Sequence, residues 1–490
     1  MSVLVRTKDL SCFLVLLGLI CRSYHQIGLK KKLSPGQFHG ILTALMQQVN
    51  LGIIGGGTVG GGVYQAIQRN GALMASRLGV QVRVAKVAVQ DLKKARAVNI
   101  SPALLTTDWQ SVIDDPAVNL VGEFIGGTTT ARTVVLQAFK QGKSVVTANK
   151  ALLSAHGEEL FAAAQRYGTN LYYEASVAGG IPIIKVLREG LIGNRITRLY
   201  GIVNGTCNYI LSRMKLEGAD FAEVLADAQR LGYAEAEPSL DVDGFDAAHK
   251  IGILASLAHG FWVNPNHIYV AGIRAITQSD IGFAGQLGYT IKLLGIVKQN
   301  ADGSQSKSKI KNQKSKIQVS VYPALVPNTH VLASVNGVFN AILVRGDVVG
   351  DTLYYGRGAG QDATASAVLS DLADAALDLK CGIKSRICPF VPHERDGAVL
   401  PIGEVVCRYY VRLSVIDKPG TLAKITAILA KSNIGISSVI QPEGHEGKSV
   451  PLILMTHDAT NANMSKALGQ IGRLSAVKAP PVMLRVENFE

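Results

Sequence analysis

The feature that most constrains the fold is a glycine-rich turn directly after a short apolar run. Residues 49–62 read VNLGIIGGGTVGGG, so a strand-like segment leads into Gly-x-Gly-x-x-Gly and then into a helical pattern. In that context the first glycine permits the turn, the second lets a pyrophosphate approach the backbone, and the third lets helix and strand pack closely. The helix N-terminus favours a phosphate. The pattern therefore predicts a dinucleotide site rather than a simple glycine turn, with contacts from Gly55, Gly57, Thr58, Val59 and Gly60.

Alternating strand and helix patterns continue beyond this motif. Strand-like runs at 81–89 and 117–125 follow, the second ending in Gly126-Gly127-Thr128, and a helix then leads to a strand that ends at Asn149-Lys150. Repeated strand–helix–strand units predict a doubly wound parallel sheet of the Rossmann type. Ligands meet such sheets at the carboxyl ends of the strands.

The choice of cofactor depends on the residues that follow the second strand. An acidic residue there accepts the ribose hydroxyls of NAD, whereas basic residues suit the 2′-phosphate of NADP. The segment reads QDLKKAR at 90–96, so Asp91 favours NAD and the Lys93, Lys94 and Arg96 cluster favours NADP. We predict NADP, with NAD as the alternative.

The positive charge is confined to two segments. Residues 1–45 and residues 304–317 each carry a net +5, which leaves +4 of the total +14 for the rest of the chain. The second segment is a low-complexity run, typical of a solvated surface insertion. This distribution argues against a nucleic-acid partner.

The N-terminal region contains one apolar run, SCFLVLLGLIC at 11–21. It is shorter than the about 20 residues that span a bilayer, so we expect no membrane partner. It resembles a signal-peptide core but no small-residue cleavage site follows, and Met46 offers an alternative start before the first strand. The scattered cysteines contain no CxxC pair, which favours a reducing compartment. We predict a cytoplasmic protein in which residues 1–45 are an extension or an upstream mis-assignment.

An acidic stretch, AEAEPSLDVDGFDAAHK at 234–250, ends in Lys250. The sequence predicts a helix over about 244–259 with Asp241 or Asp243 as N-cap. Asp246 and Lys250 then lie one turn apart on one face. A surface salt bridge is the alternative, but the helix is apolar on most sides. A divalent-metal site is disfavoured because His249 is the sole histidine in the stretch and should point elsewhere on the helix.

Four motifs connect the chain to a known family. These are TANK at 147–150, EASVAGGIP at 174–182, GIVNGTCNYIL at 201–211 and GYAEAEPSLDVDGFDAAHK at 232–250. From about residue 48 to its end, the chain resembles homoserine dehydrogenase. The resemblance implies NAD(P)-dependent interconversion of L-homoserine and L-aspartate 4-semialdehyde, in the aspartate route to threonine and methionine.

The resemblance also implies roles for individual residues. Lys250 is the proton donor and acceptor, while Glu235 and Asp246 hold the substrate's amino group. Lys150 lies near cofactor and substrate, and Gly232 approaches the cofactor. A monovalent cation, usually sodium, is held by Glu174, Val177, Gly179 and Ile181. These roles suit the chemistry, because hydride transfer to or from a carbonyl carbon requires a proton at the oxygen.

The remaining acids and a cysteine have simpler interpretations. We expect Glu237, Asp241 and Asp243 to be caps or solvated loop acids, and Cys207 to be a small buried residue rather than a nucleophile.

The domain organisation follows from the motifs and the resemblance. At about 150 residues per domain, 490 residues predict about three domains. We expect the nucleotide domain at 46–175, completed by about 340–378, where Gly358 and Gly360 return to the nicotinamide and a helix (364–377) packs on the sheet. A substrate and dimerisation domain occupies 176–340, and a linker 379–404. The resemblance implies a homodimer or homotetramer.

The last segment, 405–490, has a βαββαβ pattern with Asp417-Lys418-Pro419-Gly420 at its first turn. This arrangement resembles an ACT domain, which implies feedback control with threonine as the effector. Gly420 at a helix N-terminus suits an effector carboxylate. The alternative is a dimerisation module that binds nothing.

Two other functions remain as alternatives. An ACT-bearing hydroxy-acid dehydrogenase would require a His–carboxylate pair beside a cofactor loop, and no histidine here is so placed. A non-catalytic NAD(P)-sensing regulator would not require Lys250. No kinase-like segment precedes residue 46, so we expect no fused aspartate kinase.

Overall fold

The computed structural model describes residues 47–299, 316–442 and 449–489. The predictions for residues 1–45 and for most of the insertion at 304–317 lie outside these ranges. None of the helices in the described ranges is long and apolar enough to cross a membrane.

A parallel sheet forms the first part of the molecule. Its strands are β1 (Gln47–Ile54), β2 (Val80–Ala88), β3 (Leu105–Thr106), β4 (Leu120–Glu123), β5 (Ser144–Thr147) and β6 (Leu171–Tyr172). Its helices are α1 (Thr58–Leu78), α2 (Gln110–Ile113), α3 (Thr129–Lys140) and α4 (Lys150–Tyr167). The strand order β3-β2-β1-β4-β5-β6 turns back at β1, as in a doubly wound fold. The predicted Rossmann-type sheet is therefore confirmed.

A second, mixed sheet begins in the middle of the chain. Its first strands are β7 (Ile196–Ile202), β8 (Tyr269–Val270), β9 (Tyr289–Gln299), β10 (Lys316–Pro327), β11 (Phe339–Gly346) and β12 (Gly350–Arg357). The helices around it are α5 (Ile183–Lys185), α6 (Gly205–Glu217), α7 (Phe221–Arg230), α8 (Ser239–Val242), α9 (Phe245–His259) and α10 (Gln278–Gln286). Ile251 of α9 packs so closely on β9 that a Cβ at Gly295 would lie 3.1 Å from its side chain.

Helix α11 (Gln361–Lys380) returns to the first sheet. Its buried residues Val368 and Leu372 share one apolar core with Leu51 and Val63. Gln361 lies against α1, where a Cβ at Gly62 would approach its side chain to 2.5 Å. The helix therefore packs against the parallel-sheet part, and it is longer than the predicted 364–377.

The C-terminal part continues the mixed sheet. Its elements are β13 (Ala398–Val399), β14 (Val406–Ile416), α12 (Thr421–Lys431), β15 (Ile436–Ile440), β16 (Ser449–Thr456), β17 (Ala459–Thr460), α13 (Asn461–Ile471) and β18 (Val482–Val486). Apart from β13 and the short β17, they follow the predicted βαββαβ order, and the strands lie in the order β18-β14-β16-β15.

This C-terminal part is joined to the middle part through both hydrogen bonds and packing. Strand β18 pairs in parallel with β10, Leu325 facing Val486. One face of β14 contacts α10, where Arg412 of β14 donates to buried Asp280 at 2.7 and 3.0 Å. The opposite face of β14 packs on α12 and α13.

Helix α9 begins at Phe245, close to the predicted start, but its N-cap differs from the prediction. Gly244 occupies the N-cap position with φ 90° and no side chain caps the helix. Asp243 instead pairs with Arg274 at 2.5 Å, and Asp241 lies on α8. The prediction failed because α8 reverses the chain immediately before α9, which requires the left-handed glycine between them.

Candidate active site

The glycine turn has the geometry that the motif predicts. Gly55 has φ 107°, and a Cβ at Gly60 would lie 1.9 Å from the carbonyl oxygen of Gly55. By contrast, nothing lies within 4 Å of a Cβ placed on Gly57, and no side chain caps α1 there. The N–H groups that open α1, at Thr58 and Val59, are therefore available to an anion.

The basic loop after β2 is exposed and internally bonded. The guanidinium of Arg96 donates to the backbone carbonyls of Asp91, Leu92 and Lys94, the last at 3.0 Å. The Asp91 carboxylate accepts from the backbone N–H of Lys93 at 2.8 Å. The Asp91 carboxylate is thus hydrogen-bonded to the backbone of its own turn. The side chains of Lys93 and Arg96 lie beside it.

The TANK motif places a lysine at the carboxyl edge of the parallel sheet. Asn149 caps α4 by accepting from Leu152 N at 3.0 Å, and it donates to Gly127 O at 2.7 Å. Lys150 is consequently the first residue of α4. Glu123 of β4 lies beside this turn and accepts from Thr147 Oγ1 at 2.7 Å. Burial raises the pKa of Glu123 despite these hydrogen bonds. The sequence analysis missed this acid because it lies inside an apolar strand pattern.

The centre of the site is Asp246, which is only 4% exposed. Its Oδ2 lies 2.7 Å from Lys250 Nζ, and its Oδ1 lies 3.2 Å from Lys150 Nζ. Lys250 also donates to the carbonyl of Val203 at 2.8 Å. The predicted i, i+4 pair is therefore confirmed as a geometry. It is not a surface salt bridge, because the Lys250 side chain is only 12% exposed.

The charge state of Asp246 follows from this environment. Burial by itself raises the pKa of its carboxyl, but the charges of Lys250 and Lys150 and the hydrogen bonds from Lys250 and Asn204 outweigh burial and lower the pKa to about 2. The carboxylate is thus ionised near neutral pH. It provides a fixed negative charge between two lysines.

Two further residues, one not predicted from the sequence and one predicted to have a different role, complete the cluster. Asn204, which precedes α6, donates to Asp246 Oδ2 at 2.9 Å and to Asp241 Oδ1 at 2.7 Å. Asp241 was expected to be a cap or a solvated acid, but it is half-buried, and burial raises its pKa. The Asn-before-helix pattern in VNGT predicts a helix cap, but not contact with acids far along the chain.

Glu235 and Gly232 stand apart from the cluster. The Glu235 side chain is exposed, and no described residue donates a hydrogen bond to its carboxylate. Gly232, with φ 75°, is exposed in the turn that ends α7. The structure therefore brings together Lys150, Lys250 and Asp246 but leaves the predicted second substrate acid at the surface.

His249 and Cys207 border the cluster without joining it. The Nδ1 atom of His249 is buried and has no partner in the described part of the chain, and burial lowers the pKa of its ring. Cys207 is fully buried, donates to Asp241 O at 3.2 Å and has a raised pKa because of burial. Burial thus favours the protonated thiol, and the predicted small buried residue is confirmed as a position in the fold.

The segment around Glu174 forms a tight buried turn. Its carboxylate accepts from the backbone N–H groups of Ile184 at 2.9 Å and Lys185 at 2.8 Å. Burial raises the pKa of Glu174 to about 7, against these hydrogen bonds. Ala178 and Gly179 have φ 57° and 51°. No donor in the described ranges contacts the buried carbonyl oxygens of Val177 or Gly179.

The same turn touches the glycine loop that precedes α11. Gly180 N donates to Arg357 O at 3.0 Å, and a Cβ at Gly179 would lie 2.6 Å from Gly358 O. Gly358 is itself enclosed, since a Cβ there would lie 1.9 Å from Asn340 Nδ2. Gly360, with φ 114°, opens α11. The predicted cation segment and the predicted cofactor loop are therefore neighbours.

Together, a dinucleotide-binding turn on a doubly wound sheet and a buried lysine–carboxylate cluster define an NAD(P)-binding oxidoreductase. Comparison with known proteins makes this assignment specific. The family model described as homoserine dehydrogenase, NAD binding domain matches residues 55–174, and the model described as homoserine dehydrogenase matches residues 182–373.

Individual relatives agree over almost the whole chain. The homoserine dehydrogenase of Pseudomonas aeruginosa is 42% identical over 91% of this chain and 100% of its own. That of Bacillus subtilis is 39% identical over 90% of this chain and 99% of its own. The crystal structure of a homoserine dehydrogenase from Thiobacillus denitrificans matches with TM-score 0.82 and 44% identity, covering 90% of this chain and 99% of that one. The chain therefore belongs to the homoserine dehydrogenase family, as the four sequence motifs predicted, and it has an NAD(P)-binding domain.

Proposed function

We propose that the chain interconverts L-homoserine and L-aspartate 4-semialdehyde in the aspartate route to threonine and methionine, with Lys250 as the proton donor and acceptor. The observation that carries the proposal is the cluster in which buried, ionised Asp246 binds both Lys250 and Lys150. NADP, held at the glycine turn before α1, would supply or accept the hydride at the substrate carbon. The protein supplies the matching proton at oxygen.

The hydrogen bonds of Lys250 support this role. A protonated lysine has three N–H donors. Two of them are used by Val203 O and Asp246 Oδ2. The third is left for the substrate oxygen, to which it gives its proton when the aldehyde is reduced. In the oxidising direction the neutral amine takes the hydroxyl proton, and neighbouring Asp246 favours the ammonium that forms.

The substrate's ammonium is held by Asp246 and Glu235 in this proposal. An ammonium taken out of water requires carboxylates close by. Asp246 is in place, and Asp241 adds a second carboxylate on the same amide of Asn204. Glu235 lies in an exposed loop, so we expect this loop to close over the bound amino acid and bring its carboxylate inward.

NADP is the cofactor that the loop after β2 favours. Asp91 Oδ1 accepts a backbone hydrogen bond, while Lys93 and Lys94 stand exposed beside it and Arg96 is half-buried. A related hyperthermophilic archaeal homoserine dehydrogenase, 27% identical over 68% of this chain with TM-score 0.55, was solved in complex with NADPH. Gly55, Gly57, Thr58, Val59 and Gly60 would hold the pyrophosphate, with Lys150, Gly232, Gly358 and Gly360 near the rest of the cofactor.

A sodium ion fits the turn after Glu174. The buried carbonyls of Val177 and Gly179 have no donor among the described residues, and oxygen atoms of this kind suit a hard cation. Glu174 and Ile181 would complete the set. A cation here would stiffen the turn against the Gly358–Gly360 loop.

The C-terminal part is proposed to be an ACT domain that binds threonine. Between β14, α12 and β16 lies a cavity of about 340 Å³ whose lining includes Asp417, Gly420, Thr421 and Gln441. The N-terminus of α12 suits a carboxylate, and Asp417 suits an ammonium. The pairing of β18 with β10 connects the C-terminal part, which contains this cavity, to the middle sheet. A structural change on threonine binding could reach the middle part through this pairing. We also propose the domain boundaries predicted above. The protein is proposed to form a homodimer or homotetramer and to be located in the cytoplasm.

The decisive experiment replaces the proposed acid–base group. Lys250→Ala should lower homoserine-dependent NADP reduction by at least about 10²-fold, the usual contribution of a general acid–base, while NADPH binding followed by fluorescence is retained. Arg213→Ala is the matched control, because it removes the ion pairs with Glu217 of α6 and Asp227 of α7, both outside the cluster. Near-normal turnover in Lys250→Ala would rule out the mechanism and leave a regulator as the better description.

The cofactor and effector proposals are tested by initial rates. We expect a higher kcat/KM with NADP than with NAD, and lower rates when threonine is added. A preference for NAD would mean that Asp91, not the basic cluster, reads the ribose. Unchanged rates and no threonine binding by calorimetry would leave the C-terminal part as a dimerisation module.

A further inference from the structure

Asn204 connects three separate parts of the substrate site. It lies between β7 and α6 and is 5% exposed. Its side-chain oxygen accepts from Cys207 N at 2.8 Å, which caps α6. Its side-chain nitrogen donates to Asp241 Oδ1 at 2.7 Å and to Asp246 Oδ2 at 2.9 Å.

The chemistry of the partners fixes the orientation of this carboxamide. The backbone N–H of Cys207 can only donate, so it must face the oxygen. Ionised carboxylates can only accept, so Asp241 and Asp246 must face the NH₂ group. Both amide protons are therefore used, one for each acid, and no other neutral side chain of similar size accepts from the helix while donating twice.

The two acids depend on Asn204 to different degrees. Asp246 is also bound by Lys250 and Lys150. In the described part of the chain, the remaining side-chain donor to the Asp241 carboxylate is Thr206 Oγ1, at 3.5 Å. Two nearby carboxylates repel each other, so without the amide Asp241 would turn away from Asp246.

We propose that Asn204 is a positioning residue that holds the carboxylates of Asp241 and Asp246 together, so that the substrate's ammonium meets both. This inference rests on the proposed function, because it assumes that the ammonium binds at this pair. It assigns a purpose to Asp241 beyond that of a loop acid. It also explains why a helix cap is buried inside the site.

The test separates the cap from the donor. In Asn204→Asp and Asn204→Ser the side chain still accepts from the helix N-terminus, since Asp and Ser are good N-caps. Neither bridges the two acids, and Asp adds a third negative charge. We expect the KM for homoserine to rise roughly 10- to 100-fold in both variants, as expected for lost hydrogen bonds to charged groups. The KM for NADP should change little in both variants, and the melting temperature should change little in Asn204→Ser, which adds no charge.

A matched cap variant provides the control. Thr460 caps α13 by accepting from Asn463 N at 3.3 Å, far from the site in the sequence, so Thr460→Ala should lower stability without altering either KM. If Asn204→Asp and Asn204→Ser retain the wild-type KM for homoserine, Asn204 is only a helix cap and the inference is wrong. If Lys250→Ala is also active, the proposed function itself fails, so the two failures are distinguishable.

Discussion

Asp246 and Glu174 are both acids that the fold hides almost completely, at 4% and 1% exposure, yet their environments are opposite. Asp246 contacts two lysine ammonium groups, and its pKa falls to about 2 although burial opposes the shift. Glu174 contacts backbone N–H groups, and burial prevails so that its pKa rises to about 7.

The comparison shows that burial alone does not determine the charge of an acid. Amide dipoles offset only part of the desolvation cost, whereas two cations offset all of it. The Asp246 region therefore keeps a negative charge at the place where the substrate's ammonium is proposed to bind. The Glu174 region changes its charge near neutral pH, where a bound cation would favour ionisation. The first region is the one proposed to bind substrate, and the second holds a buried turn together.

Removal of the Asp246 charge should have the largest effect. Asp246→Asn keeps the size of the side chain but leaves Lys250 and Lys150 facing each other without an anion. We expect kcat/KM for homoserine to fall by about 10²- to 10⁴-fold, because both ammonium binding and the acid–base group are affected. Steady-state kinetics in both directions, together with NADPH binding, measure this.

The control for this prediction is Asp243→Asn. Asp243 lies in the same acidic stretch but pairs with exposed Arg274, so its loss should alter kcat/KM less than about threefold. Equal losses of kcat/KM in the two variants would mean that Asp246 contributes to the fold of α9, and that its negative charge has no separate effect on activity.

The features that were predicted correctly from the sequence are those that depend on local geometry. The turn at Gly55 and Gly60 follows from glycines at fixed spacing after a strand, and the Asp246–Lys250 pair follows from the helix repeat. The βαββαβ order also follows from local patterns. Each of these requires knowledge of only one segment.

The sequence did not predict contacts between distant segments. Asn204, Asp241 and the Val203 carbonyl meet because α6, α8 and α9 converge, and no periodicity encodes that convergence. Asp241 looked like a loop acid because its neighbours Ser239 and Asp243 are polar. The short helix α8 turns it inward instead. Glu235 is the reverse case, since it was expected beside Asp246 but lies exposed in the loop between α7 and α8.

The smaller effect concerns Glu174 and the pH dependence of stability. Between its ordinary value of 4.5 and its folded value of about 7, the folded protein holds a proton that the unfolded chain has released. Stability should therefore fall as pH rises through this window, by about 3 kcal/mol in total. Glu174→Gln has no such titration, so urea unfolding at pH 5 and pH 8 should show a smaller decline than in the wild type.

Two comparisons sharpen this result. Glu159→Gln alters an exposed pair with Arg132 and should change the decline by less than about 1 kcal/mol. Buried Asp371, which accepts from Glu174 N at 2.8 Å, has a pKa raised by burial and by the Glu174 charge, so Glu174→Gln also lessens the rise at Asp371 and adds to the difference in the same direction. If sodium binds the turn, it favours ionised Glu174, so the wild-type decline should shrink when sodium replaces a bulky organic cation. An equal decline in wild type and Glu174→Gln would mean that backbone amides alone keep this carboxylate ionised, and the contrast with Asp246 would disappear.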